Sequence, residues 1–272
     1  MKSTSMRTVA GWTGVVLAVL IPSVTRADPA DVTSPRNAVV NATGARQIKI
    51  EAGAGFLHVN GRNGINDVRV TGVARASNRR ILDGIRLIAE RRGDIVFIKT
   101  EVPDDHSIWD LFRGDFTQQL DLTIDVPVSI PLDVADGSGE LTIKGTGPLT
   151  LTDGSGDLEV SGITGNVRIT DGSGNITVSG VDGDVYVDDG SGNIDANNVT
   201  GNFTIGDDGS GSVDVSGVGG TMRVNEKGSG SLTVNRVGGD FIVGSKGSGS
   251  IDYSTVKGTV DIPDRKRRGR RG

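Results

Sequence analysis

A tripeptide that returns seven times constrains this chain more than any other feature. Gly-Ser-Gly begins at Gly137, Gly154, Gly172, Gly190, Gly209, Gly228 and Gly247, at intervals of 17, 18, 18, 19, 19 and 19 residues. A self-similar period of that length marks a stack of repeated units. Counted from the first glycine, the fourth residue runs Leu141, Leu158, Ile176, Ile194, Val213, Leu232, Ile251. The sixth, ninth, thirteenth and fifteenth places (the last two one residue earlier in the first, shorter unit, at Leu149 and Leu151) are also apolar, with Thr146 the one plainly polar exception in 35 positions. The apolar residues come as pairs one residue apart, the period of a strand with one buried face. Glycines such as Gly162, Gly165, Gly180 and Gly183 fill the gaps, where the chain must turn.

One strand pair cannot bury its apolar face alone, so the units must stack and align like residues into columns. The expected fold is therefore all-β, a parallel β-solenoid of about 18–19-residue repeats over residues 136–263. A less regular β region, 45–135, is expected to cap it, forming one continuous domain with the repeats over 45–263. Within the cap, Gly53-Ala54-Gly55-Phe56-Leu57-His58-Val59 keeps the repeat spacing with Ala in place of Ser and reads as a diverged unit of the same stack.

The first 27 residues read as a secretory signal peptide, with Lys2 and Arg7 ahead of a short apolar run and Thr25-Arg26-Ala27 before Asp28. The run is shorter than the roughly 20 residues a membrane span needs. The expected product is exported, not transmembrane after cleavage, and periplasmic, extracellular or at the cell surface. Residues 28–44, with Pro29 and Pro35, read as a flexible lead-in. Cleavage takes the net charge from −5 to −8, and the tail from Asp264 carries +5, leaving the body near −13. An acidic body argues against nucleic acid as a partner.

Three groups of residues are candidates for binding. The tail residues Arg265, Lys266, Arg267, Arg268, Arg270 and Arg271 could dock anionic lipid head groups or other envelope phosphates. The stretch 103–119 gathers Trp109, Leu111, Phe112 and Phe116, and reads as a lid or, through Trp109 and Phe112, as a partner contact. Asp136, Asp153, Asp171, Asp189 and Asp208 precede successive Gly-Ser-Gly turns, and Lys227 and Lys246 take the next two places. These read as solvated turn residues forming a polarised outer edge, with a calcium site as the sharper alternative, since stacked like charges repel. The calcium β-roll spacing is not reproduced, because its aspartate place holds Ile176 or Ile194.

Catalytic signals are weak. Only His58 and His106 exist to serve a nucleophile, and seven equivalent serines suit turns. No catalytic residue and no cofactor is expected, and the absence of cysteine removes thiolate sites. The outward rows, among them Thr150, Arg168, Tyr186, Thr204, Arg223, Ile242 and Asp261, are too mixed for an ice-binding threonine ladder.

The units Gly154-Ser-Gly-Asp-Leu-Glu-Val-Ser-Gly162 and Gly172-Ser-Gly-Asn-Ile-Thr-Val-Ser-Gly180 are each followed by Gly-Asn/Asp-Val-x-Val/Ile. With Leu122-Thr-Ile-Asp-Val-Pro127 ahead of Leu132-Asp-Val-Ala-Asp-Gly-Ser-Gly139, they resemble the bacterial "putative adhesin" family of unknown function, DUF4097, akin to the DUF2807 head-domain group. The resemblance implies an exported, non-enzymatic β-solenoid of the bacterial envelope. It supplies no ligand residues. The expected partners are envelope polysaccharide, anionic lipid head groups or another protein, with self-association open. The alternative is a carbohydrate-active enzyme, a lyase or hydrolase, on a β-helix scaffold.

Overall fold

The structure, a computed structural model, describes residues 32–102 and 117–263. The expected signal peptide, the aromatic sites Trp109 and Phe112, and the tail from Arg265 to Arg271 lie outside the described residues, as does His106. In chain order the elements open with β1 (Val32–Asn41), β2 (Gln47–Glu51), β3 (Leu57–Arg62), β4 (Asp67–Ala76), α1 (Arg79–Gly84), β5 (Arg86–Arg92), β6 (Ile95–Glu101) and β7 (Gln118–Pro127). The repeats follow as β8 (Leu132–Ser138), β9 (Leu141–Lys144), β10 (Leu149–Ser155), β11 (Leu158–Thr164), β12 (Val167–Asp171) and β13 (Ile176–Asp182). They continue through β14 (Val185–Asp189), β15 (Ile194–Val199), β16 (Phe203–Ser210), β17 (Val213–Val218), β18 (Met222–Ser229) and β19 (Leu232–Val237). The last coil and a half is β20 (Phe241–Lys246), β21 (Ile251–Val256) and β22 (Val260–Asp261).

From β8 onward, alternate strands go to alternate sheets, and every strand lies parallel on the one a coil below. Leu149 pairs with Val167 and Leu151 with Ile169 in one sheet, while Leu158 pairs with Ile176 and Val160 with Val178 in the other. The expected columns are the core: Leu158, Val160, Ile163, Val167 and Ile169 are all buried, as are their equivalents up to Val243. Burying one such side chain is worth about 1.5–3 kcal/mol, so the columns dominate the stability of the stack. The polar exception, Thr146, is also buried, its hydroxyl donating to the Gly147 carbonyl at 3.3 Å.

The Gly53 unit is a coil of the stack, as its spacing predicts. β2 lies parallel on β8 with Ile48 beside Leu132, and β3 lies parallel on β9 with Leu57 beside Leu141. Ala54 bridges to Ser138, so Gly53-Ala54-Gly55 underlies Gly137-Ser138-Gly139. Spatial order then departs from chain order: β6 and β7, later in sequence, stack on the opposite side of β2 and β3. Antiparallel strands close that end, β5 on β6, β4 on β7 and β1 on β4.

Residues 32–41 are therefore strand, not part of a flexible lead-in. All ten residues of β1 pair with β4, from Val32 beside Ala76 to Asn41 beside Asp67. Pairing to an exposed backbone ladder needs little apolar alternation, which is why the segment's sequence does not announce a strand. Pro35 is tolerated because β1 is the outermost strand of its sheet. Arg36 fastens it, donating to the Ile85 and Leu82 carbonyls at 3.0 Å each and so capping the end of α1.

The Gly-Ser-Gly corners allow coils to approach by backbone alone. Gly174 has φ +140, and a Cβ there would overlap the Gly156 carbonyl. Gly174→Ala is expected to cost roughly 2–5 kcal/mol from backbone strain and overpacking. Ser173→Ala, at a half-buried hydroxyl beside it, should stay within about 0.5 kcal/mol. Chemical denaturation of the two variants checks this, and equal losses would remove the glycine-frame explanation.

Candidate functional site

Strand alternation that turns one set of side chains inward presents the next set in register on the outside. On the outer face of one sheet, Thr150, Arg168, Tyr186, Thr204 and Arg223 stand in one row on successive coils. Neighbouring members are about 4.8 Å apart. The Arg168 guanidinium lies over the Tyr186 ring, 4.0 Å from its centroid, and Arg168 Nη2 sits 3.3 Å from Asp188 Oδ2. That stack holds both side chains in fixed orientation. Arg223 is exposed and makes no hydrogen bond, ion pair or ring contact among the described residues.

A second row builds the facing wall at the corner. The Asp184 amide donates to Asn166 Oδ1 at 3.0 Å. The Asn202 amide and Nδ2 donate to Asp184 Oδ1 at 2.7 and 3.1 Å, and the Thr221 amide to Asn202 Oδ1 at 2.9 Å. Between the rows runs a groove of about 750 Å³. It combines guanidinium donors, an aromatic ring, hydroxyls and amide edges across five coils. The residues of its outer row were legible as outward positions, but the groove and the Arg168–Tyr186 stack come only from the coil-to-coil register.

The aspartate column is where the structure overturns the sequence reading. Asp136, Asp153, Asp171, Asp189 and Asp208 are buried, with between 0% and 7% of their surface exposed. They are neither solvated turn residues nor an outer edge. Leu149, Leu151 and Asp153 alternate along one strand, so the inward face runs two residues past the apolar pair and carries the carboxylate inside. The aspartates pair coil to coil, and Lys227 takes the next place above Asp208. Its ammonium is buried too, 2.7 Å from Asp208 Oδ2, and donates to the Gly211 and Ser229 carbonyls at 2.8 and 2.6 Å. The change of sign from Asp to Lys is thus an internal ion pair and not a polarised binding edge. Lys246 is half-buried near the last coil.

No donor reaches either carboxylate oxygen of Asp136, Asp153 or Asp171 in full hydrogen-bond geometry, while Asp189 Oδ1 accepts from the Ser191 amide at 3.1 Å. Desolvation, added to by the neighbouring carboxylates, pushes Asp153 up to about 7 and Asp189 to about 6. Desolvation raises Asp136 to about 6 against the Gly137 amide, and it also raises Asp171 against the Ser173 and Gly172 amides and Asp208 against Lys227. Among the described residues, no group of three or more His, Asp or Glu side chains gathers in a way that could hold a metal ion. His58 stacks on Phe56 at 4.5 Å and faces Glu140 at 3.6 Å.

No family model matches the chain, and no curated protein matches it. Among solved structures, it is similar to a putative lipid binding protein from Parabacteroides distasonis at 14% identity and TM-score 0.39, over 84% of this chain and 97% of that one. A putative adhesin from the same species aligns at 15% identity and TM-score 0.35, over 84% and 96%. A putative cell adhesion protein from Clostridium sporogenes aligns at 14% identity and TM-score 0.29, over 84% and 98%. Identities and scores this low carry no argument about what the chain binds.

The buried column makes stability depend on pH. In the unfolded chain these carboxyls return to about 3.9. The folded column therefore holds protons that the unfolded chain releases between about pH 4 and 7, and stability falls as pH rises through that window. At low salt, the urea midpoint is expected to be higher at pH 5 than at pH 8. Asp153→Asn should flatten the dependence and raise stability at pH 8 by about 1–4 kcal/mol. An unchanged pH profile in that variant would place the titration elsewhere.

Proposed function

We propose that this chain is an exported, non-enzymatic binding module of the bacterial cell envelope, and that its groove holds a polysaccharide chain. The observation that carries this reading is the continuity of the groove: Arg168, Tyr186 and Arg223 sit in one register with Thr150 and Thr204 between and beside them. A polymer of repeating units suits a surface of repeating coils, because each weak contact raises the effective concentration for the next. Guanidinium groups offer planar paired donors to carboxylates and hydroxyls, and the Tyr186 ring offers an apolar face to a sugar. The repeats' resemblance to the "putative adhesin" family of unknown function supports the same reading, as does the signal-like segment before Asp28. The arginine-rich tail would add contact with anionic head groups at the envelope.

The test is a glycan-array and envelope-polysaccharide binding screen on the wild-type protein, run beside reducing-end assays on the same polymers. Binding without turnover is expected. Arg223→Ala should weaken it about tenfold or more with the melting temperature unchanged, because Arg223 supports nothing in the fold. Turnover, or binding indifferent to both Arg223→Ala and Tyr186→Ala, would overturn the proposal.

A further inference from the structure

The Lys227 ammonium shows what the inside of a Gly-Ser-Gly corner can hold. It lies between two coils, ringed by one carboxylate and two carbonyl oxygens: Asp208 Oδ2 at 2.7 Å, Gly211 O at 2.8 Å and Ser229 O at 2.6 Å. Side-chain exposure there is 3% for Lys227 and 0% for Asp208, so this is a cation held in the core. The same oxygens recur at every lower corner, because the backbone repeats. The second glycine of the corner has φ +131 at Gly139, +132 at Gly156, +140 at Gly174, +144 at Gly192 and +138 at Gly211. One coil below the ammonium, the corresponding groups are Asp189, Gly192 and Ser210; at the lowest corner they are Asp136, Gly139 and Ser155.

Two further observations point to a ligand at these corners. The first is that the carboxylates facing the lower positions are at least nine-tenths buried and have no well-formed hydrogen bond on either oxygen at Asp136, Asp153 and Asp171, or on Oδ2 at Asp189, the corner amides of Gly137, Gly154, Gly172 and Ser173 approaching them only loosely. Buried carboxylates without partners are costly, and native folds rarely leave them so. The second is the balance of charge. Five aspartates and Lys227 leave the column at −4, and four intercoil positions lie below the one Lys227 fills, between Asp136 and Asp208. Beyond the column, Ala52 holds the place before Gly53 at the lower end, and Lys246 lies above Lys227.

We propose that the corners between Asp136 and Asp208 form an internal row of monovalent-cation sites, with the Lys227 ammonium as the built-in occupant of the fifth. One monovalent ion at each of the four positions neutralises the column. A divalent ion at each would overcharge it. Two of the three oxygen distances around Lys227, 2.7 and 2.8 Å, also exceed the roughly 2.3–2.6 Å that calcium takes, and the third, 2.6 Å, lies at its upper limit. The ions would be bound on folding and would therefore stabilise the stack by mass action.

The experiment is thermal unfolding of the full chain at pH 8 and constant ionic strength, titrating NaCl or KCl against N-methylglucamine chloride, a cation too bulky to enter a corner. A saturable rise of about 5 °C or more is expected for at least one of the small cations. Asp171→Asn should reduce that rise by removing one ligand from each of two positions. If that variant does not fold, thallium(I)-soaked crystals of the wild-type protein decide, with anomalous peaks expected between the aspartate coils. Equal melting temperatures in all three salts would overturn the proposal and leave protons as the counter-charge. Stabilisation by calcium alone, an undiminished rise in Asp171→Asn, or thallium peaks confined to the outer surface would overturn it as well.

Discussion

Parallel stacking in register sets each residue about 4.8 Å from its own counterpart in the next coil, and that spacing governs the rest of the molecule. Where the counterpart is apolar, repetition is self-reinforcing. Val167 meets Leu149 and Val185, Ile169 meets Leu151 and Val187, and each column becomes a continuous dry seam. Where the counterpart is polar and external, repetition makes a ladder, as in the chain from Asn166 through Asp184 and Asn202 to Thr221. Where it is charged and internal, repetition is a liability. Five carboxylates are brought together in the core, and their protons, Lys227 or other cations must offset them.

The two ends of the stack are handled differently. At the amino-terminal end the chain reverses its stacking order, placing β6 and β7 beyond β2 and β3, then covers the edge with antiparallel β1, β4 and β5. This prevents the first parallel edge from offering a template for another chain. At the other end the described residues finish on an open coil. Tyr253 is 50% exposed where every lower coil buries its equivalent, and its ring lies 5.8 Å from that of Phe241. An aromatic residue in that place covers more of the last apolar column than the valine or alanine below it could.

The proposed groove and the internal column use the same strands in opposite directions. Arg168 points outward from β12, while Ile169 and Asp171 point inward. A substitution at an outward position can therefore alter binding without touching the core. A change at Asp171 acts on the core and leaves the groove's side chains in place. This separation is what makes the surface and interior hypotheses independently testable.

The periodicity alone determined the solenoid, its apolar columns and the identity of the Gly53 unit, because a strict repeat with pairs of inward residues has few ways to bury them. Tertiary structure decided three things that local pattern could not. It made Val32–Asn41 a strand, since pairing to the free edge of β4 depends on backbone groups common to every residue. It placed Arg168 over Tyr186, 18 residues away in sequence and one coil away in space. And it turned the aspartate column inward. Acidic residues beside glycines suggest solvent, yet strand alternation carries the inward face through the corner, and the direction of a Cα–Cβ bond is set by the backbone whatever the side chain's preference for water.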